Sequence, residues 1–318
     1  MQKVISIINH RDFVLSLAIV VGLILGETTK FLADISMYTL MVAMIAATIN
    51  FSFKPWKDTS NLFKPLAGSF LLIYVLNGAV TLFLAWLFFK MSGMEFLWIG
   101  FVIVAAAPPG PAVVPFSTML KGDNNYATTG LFGMYLLAMV VTPAILFVFI
   151  GTALISPLMI FWIMVQLIII PVIVSRFLRH PKVLPQAQKV SRTAIKWLFF
   201  LVITPIVGMN RSVFFEEPGT LLTTALVLFI TMFVLGVLYN LIVIKAGFKK
   251  PIIVSSTFML TIKSAAFAAV VAFRFFGDEP VVAMPGAVLS VFLVLFAVFY
   301  SFFVKYVVDK MIDRRNRK

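Results

Sequence analysis

The sequence predicts an all-α polytopic membrane protein, and three observations lead to this prediction. Of its 318 residues, 62% are apolar and 12% are charged, whereas globular domains average about 45–50% apolar and about 25% charged. The mean hydropathy is +1.07. The apolar residues form long unbroken runs, whereas a transmembrane barrel would show short alternating segments. These features exclude a water-soluble enzyme, a disordered chain and a nucleic-acid-binding module, because single soluble cores stop growing near this length.

The apolar runs predict about ten transmembrane helices, since each needs about 20 mostly apolar residues. They lie near residues 13–30, 33–52, 65–89, 95–120, 124–150, 155–177, 192–209, 219–245, 251–276 and 281–305. The first run has no small-residue cleavage site, so we interpret it as a span and not as a signal peptide.

The basic residues predict the orientation in the membrane. If the N-terminus is cytoplasmic, 21 of the 26 Lys and Arg residues lie on the cytoplasmic side, and only Lys30, Lys90, Arg211 and Arg274 lie outside. This asymmetry follows the positive-inside rule. We therefore expect a multi-pass protein of the cell (inner) membrane with both termini in the cytoplasm. The net charge of +14 then needs no nucleic-acid partner.

The ten predicted spans divide into two repeats of five, over residues 1–152 and 153–318. An odd number of spans per repeat gives the two repeats opposite orientations, as in many secondary transporters. Short similar segments support this inverted repeat. Ala112-Val113-Val114-Pro115-Phe116 precedes a Gly-Asp pair in the first repeat, and Ala269-Val270-Val271-Ala272-Phe273 precedes one in the second.

The fourth span is interrupted at its centre. Four prolines and a glycine fall within eight residues, at Pro108, Pro109, Gly110, Pro111 and Pro115. Each proline removes a backbone donor and clashes with the preceding helical turn. Unwound backbone at this depth is tolerated only inside protein or beside a water-filled cavity. The pattern favours a substrate cavity over the alternative, a packing kink without a ligand.

Lys263 is the only ionisable residue near the centre of a predicted span. A central lysine costs at least about 2.5–3.5 kcal/mol on insertion scales, so it must face a cavity or a ring of carbonyl oxygens. Four roles are open: pairing with an anionic substrate, gaining and losing a proton, replacing a bound metal ion, or capping the carbonyls of a broken helix. Ser264 and Asn77 are the polar neighbours that we place near the same cavity.

Other chemistries lack the residues that they need. The chain has no cysteine, which excludes thiolate metal sites, and His10 and His180 are too far apart in sequence to suggest a metal site. There is no phosphate-binding glycine loop, so we expect neither ATP nor another cofactor. All acidic residues fall at span ends or in loops, and no acid, histidine or nucleophile pair lies inside the membrane for catalysis, so we do not expect an enzyme.

Two stretches resemble the bile acid:sodium symporter family, part of the bile acid, arsenite and riboflavin transporter superfamily. One runs from Ala106-Ala107-Pro108-Pro109-Gly110 to Lys121-Gly122-Asp123; the other runs from Lys263-Ser264-Ala265 to Pro280-Val281-Val282-Ala283-Met284-Pro285-Gly286-Ala287. The resemblance implies a panel domain, 13–52 plus 155–209, and a core domain, 65–150 plus 219–305. It also implies that the fourth and ninth spans are discontinuous and cross, with the substrate between panel and core and access alternating between the two sides.

The chain departs from the family at the sodium ligands. By the same resemblance, these positions carry Val113, Val114, Ala127, Leu131, Phe258 and Ile262, and Lys263 replaces an asparagine. Hard cations need several oxygen ligands. The sequence therefore predicts a divergent member whose transport is not coupled to sodium, with Lys263 as a fixed or protonatable charge.

Together these features predict a secondary active transporter of small or amphipathic organic anions. Its expected partners are the lipid bilayer and the anion, with protons as the candidate coupling ion. Two alternatives stay open. One is a uniporter or exchanger in which Lys263 is structural, and the other is a membrane receptor or scaffold that keeps the fold without transport.

Overall fold

The computed structural model describes residues 11–49, 62–151, 156–216 and 218–316. These residues are almost entirely helical and contain no strand, which confirms the all-α polytopic fold class. The helices are α1 (Arg11–Leu25), α2 (Lys30–Ile49), α3 (Phe63–Lys90), α4 (Glu95–Ala106), α5 (Val113–Met119), α6 (Asn124–Ile150), α7 (Leu158–Phe177), α8 (Leu184–Met209), α9 (Arg211–Glu216), α10 (Pro218–Lys245), α11 (Lys250–Thr261), α12 (Ala265–Phe275) and α13 (Pro280–Arg315).

Six helical stretches in the described part of the chain are long and apolar enough to cross a membrane. Helix α8, which bends by 41° around residue 192, makes a seventh, and α4 and α12 are apolar but shorter. The ten-span count and the inverted repeat stay predictions. Five basic residues that contribute to the predicted charge asymmetry lie outside the described residues: Lys3, Lys54, Lys57, Arg317 and Lys318.

Most predicted spans agree with the helices to within a few residues. The span predicted at 124–150 coincides with α6. A 3-10 turn, Gly26–Thr29, joins α1 to α2, and Gly26 adopts a φ of +57° that favours glycine there.

Two spans extend beyond their predicted limits. Helix α8 begins at Leu184 instead of 192, with a proline in its first turn, and α13 continues past 305 to Arg315. The extension of α8 contains Gln186, Gln188 and Lys189, and that of α13 contains Lys310, Arg314 and Arg315. These side chains favour helix although they are too polar for the apolar-run criterion.

Helices α1, α2, α7 and α8 pack mainly on one another, with α8 in contact with both α1 and α2. Helices α3 to α6 and α10 to α13 form the larger remaining body. The two groups meet where α2 packs on α12, where α7 packs on α6 and where α8 packs on α12 and α13. The grouping follows the expected panel and core ranges, and the division into two domains stays a prediction.

Candidate functional site: the crossing of two broken helices

The first break separates α4 from α5. Helix α4 ends at Ala106, Ala107 is extended with φ −61° and ψ 140°, and helix resumes only at Val113. Proline has no N–H, and it disfavours helical geometry in the residue before it. Pro108 and Pro109 therefore end α4 at the position that the sequence predicts.

The second break separates α11 from α12 and contains no proline. Helix α11 ends at Thr261, and Ile262 and Ser264 are both extended. The Ser264 hydroxyl accepts a hydrogen bond from the Phe267 N–H at 3.3 Å, which is the arrangement of an N-cap. A serine before the alanine-rich run that starts at Ala265 is the local sequence signal for this helix start.

The two breaks cross and pair through their backbones. Pro109 and Lys263 form an antiparallel bridge, flanked by hydrogen bonds from the Gly110 N–H to the Ile262 carbonyl at 3.0 Å and from the Ser264 N–H to the Pro108 carbonyl at 2.9 Å. The bridged residues are thus a non-hydrogen-bonded pair. Because the N–H of such a residue does not point at its partner, the proline at 109 interrupts no pairing.

The Lys263 side chain turns into the carbonyl end of α4. Its Nζ donates to the Ala105 carbonyl at 2.5 Å and to the Ala107 carbonyl at 3.3 Å, and it lies 5.2 Å from the centre of the Tyr74 ring. The side chain is only 2% exposed, and within the described residues it forms no ion pair. Helix C-termini carry partial negative charge, which favours a cation at this position.

A cavity of about 430 Å³, the crossover cavity, lies beside the crossing. One wall comes from α2 and α8, and the other comes from the two breaks, α5, α12 and α13. Its ionisable lining residues are both basic, Lys196 and Lys263. Its lining consists of Ala47, Gly110, Pro111, Ala112, Val114, Pro115, Ile195, Lys196, Phe199, Ile203, Lys263, Ser264, Ala265, Ala266, Ser290 and Leu293.

The predicted site residues separate into three groups. Gly110, Pro111, Lys263 and Ser264 line the crossover cavity. Pro108 and Pro109 form the crossing without lining the cavity.

Asn77 is the exception, since its amide is used inside the protein. It is buried, donates to the Thr231 carbonyl at 3.3 Å and accepts from Thr81 Oγ1 at 3.3 Å. It does not line the crossover cavity. Two residues that do line the cavity, Lys196 and Ser290, were not predicted from the sequence. Lys196 is one of many basic residues near a span end, and Ser290 is one small residue in an apolar run.

The positions assigned to sodium ligands by resemblance are occupied by hydrocarbon. Five of these side chains are fully buried: Val113, Ala127, Leu131, Phe258 and Ile262. Val114 lines the crossover cavity. The oxygens around the crossing are therefore mainly backbone carbonyls, and two of those at the end of α4 already accept from Lys263.

The helices and the crossing define the class of protein: an all-α polytopic membrane protein with two broken helices that cross beside a cavity. The sequence model of the Sodium Bile acid symporter family matches residues 37–216, more than half of the 318-residue chain, and the chain belongs to this family. Its members transport bile acids and other organic anions, which supports a transporter and not an enzyme. The matched range includes the first break and ends before Lys263. No curated protein matches the chain significantly.

Proposed function

We propose that this protein is a sodium-independent transporter of small or amphipathic organic anions that works by alternating access. The observation that carries the proposal is the Lys263 ammonium, which donates to two carbonyls at the crossing. A lysine is covalently attached and cannot dissociate. A cation held in this way draws no energy from a sodium gradient, although it supplies the positive charge that a bound ion would supply.

The lining of the crossover cavity supports an anion with an apolar body. Phe199, Ile203 and Leu293 offer apolar surface, and none of the described residues that line the cavity is acidic. The N-terminus of α12, where Ala265 and Ala266 line the cavity, favours negative charge because its first backbone N–H groups and its dipole point the same way. Lys196 adds a positive charge at the opposite wall.

The contacts of Lys263 also favour some of its four possible roles over others. Because its Nζ faces the carbonyls of Ala105 and Ala107 and the ring of Tyr74, direct pairing with a substrate is the least supported role. Two further roles, a fixed cation that replaces a metal ion and a cap on the carbonyls at the end of α4, predict the same contacts for the Lys263 Nζ. The fourth role, in which Lys263 gains and loses a proton, differs from these two in the proton dependence of uptake that it predicts.

The test is uptake of labelled bile acids and smaller carboxylates into proteoliposomes under a sodium gradient, a proton gradient or neither. We expect uptake that is unchanged by sodium. Uptake driven by protons in the wild type and lost in Lys263→Ala would make Lys263 the coupling residue, whereas indifference to both gradients would indicate a uniporter or exchanger with a structural lysine. Sodium-stimulated uptake would refute the proposal, and absence of flux for every anion would favour the receptor or scaffold alternative.

The contribution of Lys196 to anion binding is tested in the same assay. Lys196→Ala is expected to raise the half-saturating concentration of anionic substrates several-fold. Lys189→Ala, which removes an exposed lysine of the same helix that does not line the cavity, is the matched control and is expected to behave like the wild type.

A further inference from the structure

A second cavity, the charged cavity, lies at the end of α2 and α12 that is remote from the crossing. Its volume is about 490 Å³. One wall consists of α2, α7 and the end of α8, and the other consists of α12 and the turn that follows it. It is lined by Lys30, Ala33, Asp34, Ser36, Met37, Tyr38, Met159, Trp162, Ile163, Gln166, Met209, Val270, Phe273, Arg274, Gly277 and Asp278.

Four charged side chains face each other across this cavity. Lys30 and Asp34 belong to α2, Arg274 belongs to the last turn of α12, and Asp278 lies in the following turn. All four are exposed, and none makes an ion pair or a side-chain hydrogen bond with any residue that the structure describes. The cavity therefore contains two acids and two bases that are not yet matched.

The two helices that carry these charges run in opposite directions. Ala47 of α2 and Ala265 of α12 both line the crossover cavity, whereas Lys30 and Arg274 both line the charged cavity. The residue numbers thus fall along α2 and rise along α12 towards the charged cavity, so the helices are antiparallel.

This antiparallel arrangement defines two layers of charge. Four residues of helix span about 6 Å, so Asp34 lies about one turn deeper than Lys30. Arg274 lies in the last turn of α12 and Asp278 follows the helix end at Phe275, so we expect Arg274 to be the deeper of the two. This order favours Lys30 with Asp278 as the outer pair and Asp34 with Arg274 as the deeper pair.

We propose that these residues form a gate that closes the charged cavity through two ion pairs, Lys30–Asp278 and Asp34–Arg274. This inference rests on the proposed alternating access, in which α2 and α12 approach each other at this end when the crossover cavity opens. Closure without pairing would bury four unmatched charges, which is strongly unfavourable. Because ion pairs near a protein surface contribute little in water, the gate can also reopen easily.

The charge pattern favours a gate over a substrate site. Two acids and two bases leave no net charge for the selection of an organic anion, in contrast to the basic lining of the crossover cavity. A site for a zwitterionic ligand is the rival explanation. It would need the four charges to remain apart around the ligand, whereas a gate needs them to meet.

The first experiment uses the fact that the chain contains no cysteine. Two matched pairs, Lys30→Cys with Asp278→Cys and Asp34→Cys with Arg274→Cys, are treated in membranes with a short bifunctional thiol cross-linker. The mismatched pair Asp34→Cys with Asp278→Cys is the control. We expect both matched pairs to cross-link several-fold faster than the mismatched pair. Equal rates for all three pairs, or no cross-link in either matched pair, would overturn the proposed gate.

The second experiment exchanges the charges of the deeper layer. Asp34→Arg, Arg274→Asp and the double variant are each combined with Ser290→Cys, whose position lines the crossover cavity. The readout is the rate at which a membrane-impermeant maleimide labels this cysteine. Each single reversal is expected to slow labelling several-fold, because a gate that cannot close disfavours the wider opening of the crossover cavity, and the double exchange is expected to restore the rate.

The labelling of Ser290→Cys distinguishes a failure of the proposed gate from a failure of the proposed function. If a transported anion changes the labelling of Ser290→Cys while the charge reversals do not, alternating access holds and the gate is wrong. If neither the anion nor the reversals change the labelling, alternating access itself fails. Protection of the four positions by a zwitterionic ligand, without cross-linking of the matched pairs, would support the rival explanation.

Discussion

At the scale of single residues, the proposed sodium independence depends on the buried ammonium group of Lys263. A lysine at the centre of a membrane span costs at least about 2.5–3.5 kcal/mol. Lys263 offsets this cost with two charge-assisted hydrogen bonds to the carbonyls of Ala105 and Ala107, the negative end of α4 and the face of the Tyr74 ring. These compensating groups are of the kind that would hold a free monovalent cation, which is why we interpret the lysine as a tethered ion.

Lys263→Met removes the charge and keeps much of the length of the side chain. The carbonyls of Ala105 and Ala107 then lose their donor, and a buried polar group without a partner costs about 1–3 kcal/mol. We expect a lower melting temperature than for the wild type, with partial recovery in sodium compared with the same concentration of choline. Thermal unfolding followed by tryptophan fluorescence measures both effects.

The control for this substitution is Lys189→Met, which replaces an exposed lysine of α8. It is expected to change the melting temperature little, and its stability should not respond to the choice of cation beyond the response of the wild type. A variant at 263 as stable as the wild type in choline would contradict the role of the lysine as a cap on these carbonyls.

Gly110 permits the close approach of the two breaks. A Cβ at this position would lie 3.1 Å from both the Ile262 Cγ2 and the Lys263 carbonyl oxygen, and the second of these atoms is backbone. Gly110→Ala is therefore expected to weaken the pairing at the crossing and to lower the melting temperature. Gly219→Ala is the matched control, because nothing lies within 4 Å of a Cβ there. Equal effects of the two substitutions would show that the crossing tolerates the methyl group.

At the scale of helices, the sequence predicts what depends on local chemistry. The long apolar runs predict α3, α6 and α10 to within a few residues, and the prolines predict the end of α4. The second break has a weaker signal, because it contains no proline and Ser264 marks only the start of α12, whereas the segment 262–264 is also paired with Pro108, Pro109 and Gly110. That pairing joins segments about 150 residues apart, so no local pattern contains it.

The residues of the candidate site also differ in whether local sequence predicts them. Lys263 and the proline-rich break stand out in the sequence, since a charge and several prolines are costly within a span. Asn77 could not be placed from the sequence, because an asparagine in a span bonds either to a ligand or to a neighbouring helix. Its hydrogen bonds to Thr231 and Thr81 are contacts of the second kind.

The C-terminal part of α13 stabilises the end of α10. Arg315 Nη1 donates to the Ile244 carbonyl at 2.9 Å and to the Phe248 carbonyl at 3.1 Å, at a helix end where a positive charge is favourable. Arg315→Ala is expected to destabilise the protein by about 1 kcal/mol, since hydrogen bonds to charged groups contribute about 1.5–3 kcal/mol when buried and less when partly exposed.

Arg314→Ala is the control for this contact. Arg314 is the exposed neighbour of Arg315, and its side chain makes no hydrogen bond or ion pair with the residues described. Chemical denaturation in detergent should separate the two variants. A loss of stability in Arg314→Ala as large as in Arg315→Ala would mean that the overall charge of the tail matters, and not the cap on α10.

At the scale of the whole molecule, the two cavities differ in charge and lie at opposite ends of the contact between α2 and α12. Among the residues that the structure describes, the ionisable ones lining the crossover cavity are all basic, whereas those lining the charged cavity include both signs. In the predicted orientation, Lys30 and Arg274 face outward, which puts the charged cavity at the outer surface and the crossover cavity towards the cytoplasm. The proposed anion site would then be reached from the side where the positive-inside rule already concentrates basic residues.

This orientation can be tested with single cysteines, since the chain has none of its own. Met91→Cys lies beside the third predicted span and Ala246→Cys lies beside the eighth, and both positions are exposed. Five predicted spans separate them, so they must lie on opposite sides of the membrane. In intact cells a membrane-impermeant maleimide should label Met91→Cys, whereas Ala246→Cys should react only after permeabilisation. Labelling of both from outside would require an even number of spans between them, and the opposite pattern would invert the molecule and place the proposed gate on the cytoplasmic side.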